Sequence, residues 1–299
     1  MRLTAILIPI YNGLEYTRKC IEMLAQFTSR SKSGTKYIII VIDDGSRDGS
    51  YEYIKTHYPY VELLKGDGNL WWSGGINVGA RYAIENLKCD YVLLWNNDVY
   101  PADNYFTELD KIIEKTEGKV IIGSKVYFSH KPDTIQAYGG YFNPRTGVKY
   151  TYAYNSEEKE EFNQVKICDW LPGMGTLIPS DAVIELDYWD DKNFPQYHGD
   201  SDFTFRAKKA GYTIKVVPQL KIWNNTENTG INYPTSLKLL WQSLRSIRSD
   251  YNLKKDVIFY RFHASSIFSA WGLSVKYFWL IYFMIKYLFF KYILKKRIS

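Results

Sequence analysis

Apolar residues in the first third of the chain fall in short blocks that alternate in kind. Residues 3–10 are a nearly unbroken apolar run, the pattern of a strand buried on both faces. Residues 14–27 place apolar side chains at Leu14, Ile21, Leu24 and Phe27, the spacing of one helix face. Residues 37–42 form a second buried strand, closed by Asp43-Asp44-Gly45-Ser46, and Asp48-Gly49-Ser50 opens a short helix to about Lys55. Residues 61–64 are a third strand. Glycines 74 and 75 precede a helix over 76–87, and residues 91–95 are a strand too short for a helix. Strand alternating with helix predicts a mostly parallel sheet with helices on both faces.

Beyond residue 100 the alternation loosens. A helix over 104–114 and a strand over 120–128 are followed by the polar, Tyr-rich stretch 130–165, which reads as a hairpin and loop over the site. An apolar segment over 170–178 leads to a helix capped by Ser180 or Asp181. A helix over 202–210 stops at Gly211. No internal repeat or low-complexity tract interrupts the pattern.

Composition narrows the class. The chain has 299 residues, 46% of them hydrophobic, which suits one large domain or one domain plus an appendage. Aromatics reach 17%, with 27 tyrosines, as on surfaces that bind sugars or a membrane interface. Cys20, Cys89 and Cys168 are widely spaced with no Cys-x-x-Cys, which argues against a disulfide framework or zinc site and for a reducing compartment. His57, His130, His198 and His263 show no metal-ligand spacing. The apolar start runs into Tyr11-Asn12-Gly13 without a small-residue cleavage site and reads as a first strand, not a signal peptide. Net charge is +6, but residues 235–299 hold twelve Lys/Arg against two Asp/Glu, so residues 1–234 are net acidic. We therefore divide the chain into 1–234 and a basic, aromatic, helical extension over 235–299.

Four stretches carry candidate chemistry. Residues 90–100 end a buried strand in Asn96, Asn97 and Asp98, on the sheet rim where open α/β sheets bind ligands. An Asp there can hold a divalent ion, and the ion a diphosphate; an Asn/Asp turn is the plain alternative. At the end of the second strand, Asp43 can accept a hydrogen bond from a pyrimidine imide N–H, or the segment is a turn with Asp48 as an N-cap. Residues 66–79 join a glycine-rich turn to a helix start, which favours anions, yet no Gly-Lys-Ser/Thr of a P-loop follows. Trp71 and Trp72 within it either wall a sugar pocket or belong to the core. In residues 196–212, Asp200 and Asp202 are two apart and do not face each other on a helix. One can enter a cleft while the other caps the helix or pairs with Arg206.

In this order, the strand-Asp-Asp-Gly-Ser, the glycine-rich turn, the strand-Asn-Asn-Asp, Trp-Leu-Pro-Gly and Gly-Asp-Ser-Asp-Phe-x-x-Arg resemble inverting family 2 glycosyltransferases of the GT-A fold, especially a bacterial rhamnosyltransferase-like branch. The resemblance spans roughly residues 4–230. It implies a Rossmann-like α/β domain and carries roles onto residues. Pro9, Tyr11 and Asn12 border the nucleotide, and Asp43 reads the base. Asn69, Trp72, Gly75, Asn77, Asn96 and Asn97 belong with donor binding. Asp98 contacts Mg²⁺ or Mn²⁺. Trp170, Gly173, Met174 and Gly175 line the sugar and acceptor cleft, with Asp202 and Arg206 in support, and Asp200 is the catalytic base. Two departures stand out. Asn96 replaces the first carboxylate of Asp-x-Asp, and the segment 221–227 lacks a His that many relatives supply to the metal, leaving Asn224, Asn225 or water.

Residues 259–292 contain fourteen aromatics, and residues 277–285 are an uninterrupted apolar run of nine, short for a spanning helix. Lys276, Lys286, Lys291 and Lys295 fall on one half of a helix. The pattern predicts an interfacial helix with lysines toward anionic headgroups; packing on the domain or on a second copy in a homodimer is the alternative. Residues 235–258 read as a basic amphipathic connector. With the resemblance, the tail implies a polyprenyl-diphosphate-linked glycan acceptor, a dTDP-rhamnose or UDP-hexose donor, and a peripheral place on the cytoplasmic face of the plasma membrane. Three other classes fit less well. A nucleotidyltransferase would need a basic triphosphate loop near the first strand. An inactive, membrane-bound relative would explain Asn96 and the missing His. Nucleic-acid binding would need an open aromatic platform rather than an apolar helix.

Overall fold

The computed structural model describes residues 1–30, 34–226, 234–265, 267 and 270–298, with side chains through Lys291. Contacts divide it into two compact units. One comprises residues 1–141, 151–195 and 199–226; the other comprises 142–150, 196–198 and the described residues from 234 onward.

The first unit is built on an eleven-stranded mixed sheet. β1 (Arg2–Ile10), β2 (Thr35–Asp43), β3 (Glu62–Lys65) and β4 (Tyr91–Leu94) are parallel, in the order β4-β1-β2-β3. Short β5 (Val99–Pro101) follows, then β6 (Val120–Phe128) and β7 (Lys131–Ala137). β8 (Gly140–Phe142) and β9 (Lys149–Thr151) form a two-stranded ribbon, and β10 (Ser156–Glu157) and β11 (Lys166–Ile167) are edge pieces. β12 (Thr176–Pro179) runs antiparallel between β4 and β6, and β13 (Thr213–Asn224) runs parallel to β6.

Successive residues of a strand face opposite sides of the sheet. Ala5, Leu7, Ile40, Ile42, Val92 and Leu94 enter one core, while Ile6, Ile8, Ile39, Val41 and Leu93 enter the other. Both faces are therefore covered. α1 (Leu14–Ser29), α2 (Ser50–His57) and α4 (Tyr105–Lys115) contribute Cys20, Ile21, Leu24, Ile54, Tyr105 and Phe106 to the second core. α3 (Trp71–Arg81), α5 (Ser180–Glu185) and α6 (Gly199–Lys209) contribute Ile76, Ala80, Ala182, Val183 and Phe203 to the first.

Three details depart from the sequence pattern. α3 begins at Trp71, so Gly74 and Gly75 lie inside it rather than before it. Their value is close approach: a Cβ at Gly75 would lie 2.9 Å from Pro9 Cβ, and one at Gly79 2.7 Å from Ile42 Cδ1. Ser180 is the first residue of α5 rather than its cap, and its hydroxyl donates to the Cys89 carbonyl at 2.6 Å. β13, twelve residues long, is not announced by the apolar pattern, because Pro218 and a register shift between Val217 and Lys221 break its alternation.

The second unit holds α7 (Leu237–Arg245), α8 (Leu253–His263) and α9 (Ala270–Ile298), so helices occupy the expected connector. Ser236 and Asn252 cap α7 and α8 by accepting from Leu239 N–H and Lys255 N–H. The unit is centred on Asp256, which is fully buried. His198 Nε2 lies 2.7 Å from its Oδ1, the Tyr277 hydroxyl donates to Oδ2 at 2.7 Å, and Lys276 Nζ lies 2.9 Å away. Burial alone would raise this carboxyl; the His198 hydrogen bond and the Lys276 charge outweigh it and hold the group down to about 2. Burial first, and then the Lys149 charge, lower His198, against the pull of Asp256.

Both shifts are downward, so both groups favour the fold at neutral pH and oppose it in acid. The unfolded chain takes up protons at His198 below about 6.5 and at Asp256 below about 4. In thermal melts from pH 8 to 3, wild type is expected to lose more stability than Asp256→Asn, the difference opening below about 4, since every other carboxyl is common to both proteins. Asp256→Asn is expected to cost about 3 kcal/mol at pH 7.5 by removing the buried charge on which Lys276, His198 and Tyr277 converge, leaving Lys276 only the more distant Asp250 carboxylate at 4.0 Å. An equal loss of stability in the two proteins across this range, or an Asp256→Asn protein as stable as wild type at pH 7.5, contradicts this account.

Candidate active site

The carboxyl ends of β1, β2 and β4 meet the first turn of α3, the segment before β12 and the start of α6. At the end of β2, Asp43 is 1% exposed. Its Oδ1 accepts from Ser46 N–H at 2.6 Å, while its Oδ2 is buried with no hydrogen-bond partner among the described residues. A carboxylate oxygen buried without a donor costs about 1–3 kcal/mol and marks a place where a ligand donor fits.

Asp44, which the sequence pattern does not single out, pins the glycine-rich turn. Its Oδ1 accepts from Gly68 N–H at 2.8 Å and its Oδ2 from Trp71 N–H at 3.0 Å. Trp71 is held at a φ of 57°, a left-handed conformation that is strained for a bulky residue. Asn12, at a φ of 59°, ties β1 to β2: its N–H donates to Ser46 Oγ and its Oδ1 accepts from Arg47 N–H. Tyr11 is half-exposed and Asn69 is exposed on the turn before α3.

At the end of β4, Asn97 Nδ2 donates to Thr17 Oγ1 at 2.8 Å. Trp72 Nε1–H donates to Asn96 Oδ1 at 3.1 Å. Indole nitrogen only donates, so the Asn96 oxygen must face it, and the amide NH₂ is left without a protein partner among the described residues. Asp98 meets no Lys, Arg or His among the described residues, and burial pushes its carboxyl up to about 6. Its backbone carbonyl accepts from Asn225 N–H at 3.0 Å. The Asn224 amide donates instead to Gln136 Oε1. Residue 227, the last of the segment lacking a His, lies outside the described residues.

No group of three His, Cys, Asp or Glu side chains is gathered for a metal among the described residues. A single carboxylate with no cation beside it among the described residues suits Mg²⁺ or Mn²⁺ held partly by substrate phosphates, since such ions usually take one or two carboxylates.

On α6, the two carboxylates have different surroundings. Asp202 is 1% exposed and bonds Arg206 Nε at 2.8 Å. The Arg206 guanidinium also donates to the Leu186 and Tyr188 carbonyls at 2.6 and 2.8 Å, so the pair is a clamp between α6 and the turn after α5. Asp200 is partly exposed, with no cation beside it among the described residues. Its Oδ2 accepts from Gly173 N–H at 3.0 Å and its Oδ1 from Ser201 N–H at 2.7 Å.

The remaining residues divide between cleft and framework. A Cβ at Gly173 would overlap the Trp72 ring, and one at Gly140 would overlap the Trp170 ring. Gly175, at a φ of 62°, donates to the Leu94 carbonyl and accepts from Ser124 Oγ at 2.6 Å. Met174 packs on the second core. Asn77 is occupied inside α3: Nδ2 donates to the Trp189 carbonyl at 2.8 Å and Asp191 Oδ2 at 3.1 Å, and Oδ1 accepts from Trp189 N–H. Gly75 presses on Pro9. These two residues hold α3 in place, a use that their position in a presumed turn concealed.

The model of the family described as glycosyl transferase family 2 matches residues 5–170. An uncharacterised glycosyltransferase of Rickettsia typhi is 25% identical over 246 residues, covering 80% of this chain and 70% of that protein. Glycosyltransferase AglE of Haloferax volcanii is 26% identical over 216 residues, covering 70% of this chain and 62% of its own length. The solved structure of GalNAc-T7 with UDP, GalNAc and Mn²⁺ superposes with a TM-score of 0.56 at 12% identity, over 92% of this chain and 56% of that one, a likeness of GT-A fold. The family match takes in β1 to β4, the strand ends carrying Asp43 and Asp98, and the first turn of α3, which is more than half of the chain, and it places this protein in glycosyl transferase family 2.

Proposed function

We propose that the protein is an inverting glycosyltransferase that moves a sugar from a nucleoside-diphosphate donor to a hydroxyl of a lipid-linked glycan, with rhamnose from dTDP-rhamnose as the first candidate. The observation that carries the reading is Asp200. It is the α6 carboxylate left without a cation among the described residues, while Asp202 is consumed by Arg206. In a single displacement, Asp200 takes the proton of the acceptor hydroxyl as that oxygen attacks the anomeric carbon. The Gly173 and Ser201 N–H groups orient the carboxylate and leave lone pairs for the hydroxyl. The unpartnered Asp43 oxygen accepts the imide N–H of a pyrimidine. Thymine and uracil share that group, so a UDP-hexose satisfies the same contact. Asp98, with Asn225 beside it, would hold Mg²⁺ or Mn²⁺. When bound, the ion would neutralise charge on the departing diphosphate.

The second unit supports a membrane location for this chemistry. Residues Ala270–Lys291 are 22 residues long and apolar enough to cross a membrane by length and composition, and only 11% of the apolar window is buried. Trp279, Phe283, Phe289 and Phe290 are exposed along α9. The expected lysine stripe is altered, because Lys276 turns to Asp256. Lys286 and Lys291 stay exposed, while the Lys295 side chain lies outside the described residues. We infer attachment of α9 to the cytoplasmic face of a membrane, where a polyprenyl-linked acceptor is presented.

Asp200→Asn is expected to keep nucleoside-diphosphate affinity and to lower kcat about 10³-fold, read as release of dTDP from dTDP-rhamnose and of UDP from UDP-glucose with a polyprenyl-lipid extract as acceptor. Near-normal turnover overturns the base. Wild-type protein is expected to float with vesicles containing phosphatidylglycerol, and Trp279→Ser with Phe283→Ser to weaken this at least severalfold. Wild-type protein that stays in the dense fraction contradicts the membrane reading.

A further inference from the structure

The first turn of α3 touches Gly173, the donor of the hydrogen bond that holds Asp200, and Gly199, the residue before Asp200. Trp72 lies against Gly173, so closely that no Cβ fits there, and Gly173 N–H donates to Asp200 Oδ2 at 3.0 Å. Ser73, the next residue, lies against Gly199, again with no room for a Cβ. Ser73 also ties down the chain just before α6: its N–H donates to the Pro195 carbonyl at 2.8 Å and its hydroxyl to the Phe194 carbonyl at 2.6 Å. The Trp72 ring is itself located by the bond from its indole N–H to Asn96 Oδ1, at the end of β4.

From this arrangement we propose that Trp72 is a positioning residue for the base, with Asn96 as its anchor. The proposal rests on Asp200 acting as the base. An aspartate at a helix start has several side-chain rotamers open to it, and the Gly173 bond selects one. Gly173 stands on a loop, and its distance from α6 is set by what fills the space beneath it. Trp72 fills that space with the far edge of its six-membered ring, and the Asn96 bond keeps the ring from turning away. Asn96 thereby has a use that needs an acceptor oxygen but no negative charge. A neutral side chain at position 96 is sufficient for this use.

The test compares wild type with Trp72→Phe, which lacks both the indole N–H and the ring edge on Gly173, and with Asn96→Ala, which lacks only the acceptor. Hydrogen exchange at the Gly173 amide is expected to be slow in wild type and about tenfold faster in each variant. The kcat of Trp72→Phe with dTDP-rhamnose or UDP-glucose at saturating donor is expected to fall about tenfold. In an Asp200→Asn background the same substitution is expected to cause no further loss, since a base that is absent cannot be misplaced. Unchanged Gly173 exchange overturns the proposal, as does an equal loss of kcat in the Asp200→Asn background. If wild type turns over no donor, the transferase reading fails, and the exchange rates alone decide whether Trp72 and Asn96 hold Gly173.

Discussion

The close approach of α3 to β1 and β2 sets the geometry of the sheet rim. Gly75 and Gly79 admit Pro9 and Ile42 at distances that any side chain would forbid. Glycine within a helix costs about 1 kcal/mol relative to alanine. Here it draws the whole helix onto the strands. Once α3 is that close, its first turn lies among the strand ends. Trp71 N–H reaches Asp44, the Trp72 indole reaches Asn96, and Ser73 reaches Phe194 and Pro195. The start of α6 and the Gly173 loop then rest on consecutive residues of this turn.

On that frame the carboxylates separate into two kinds. Asp44, Asp202 and Asp256 are saturated by backbone donors or cations and serve the fold. Among the described residues, the Asp43 Oδ2, Asp98 and Asp200 are not saturated. One is buried without a donor, one is raised by burial with no cation beside it, and one is half-held and partly exposed. Buried polar groups normally find partners, so unsaturated ones gathered on one rim point to a ligand that completes them. A donor with a base, a charged diphosphate and a reacting sugar has groups of the matching chemistry.

Much of this was legible in the sequence where the signal is local. β1, β2 and β4 read as strands because both their faces are buried, so the apolar runs are unbroken. The polar residues ending those runs marked the rim. What was hidden depends on contacts distant in sequence. Gly75 looks like a helix breaker until Pro9 is placed against it. Asp44 is indistinguishable from Asp43 until the turn at residues 66–71 folds back on it. Asn77 resembles a ligand contact, but its amide is used by Trp189 and Asp191. Lys276 belongs to an apparent headgroup stripe until Asp256, twenty residues earlier, pairs with it. Periodicity records which face is buried and not which partner waits there.

The central claim is that the rim binds a pyrimidine nucleotide sugar together with a divalent ion at Asp98. A thermal-shift panel of dTDP-rhamnose, UDP-glucose, UDP-galactose and GDP-mannose, with and without Mn²⁺, tests it directly, because a ligand that binds only the folded state raises the melting temperature. The account predicts a shift of several degrees with one pyrimidine donor, dependent on Mn²⁺, absent with GDP-mannose and lost in Asp98→Asn. A folded protein that shifts with none of the pyrimidine donors, or equally with and without the metal, contradicts it.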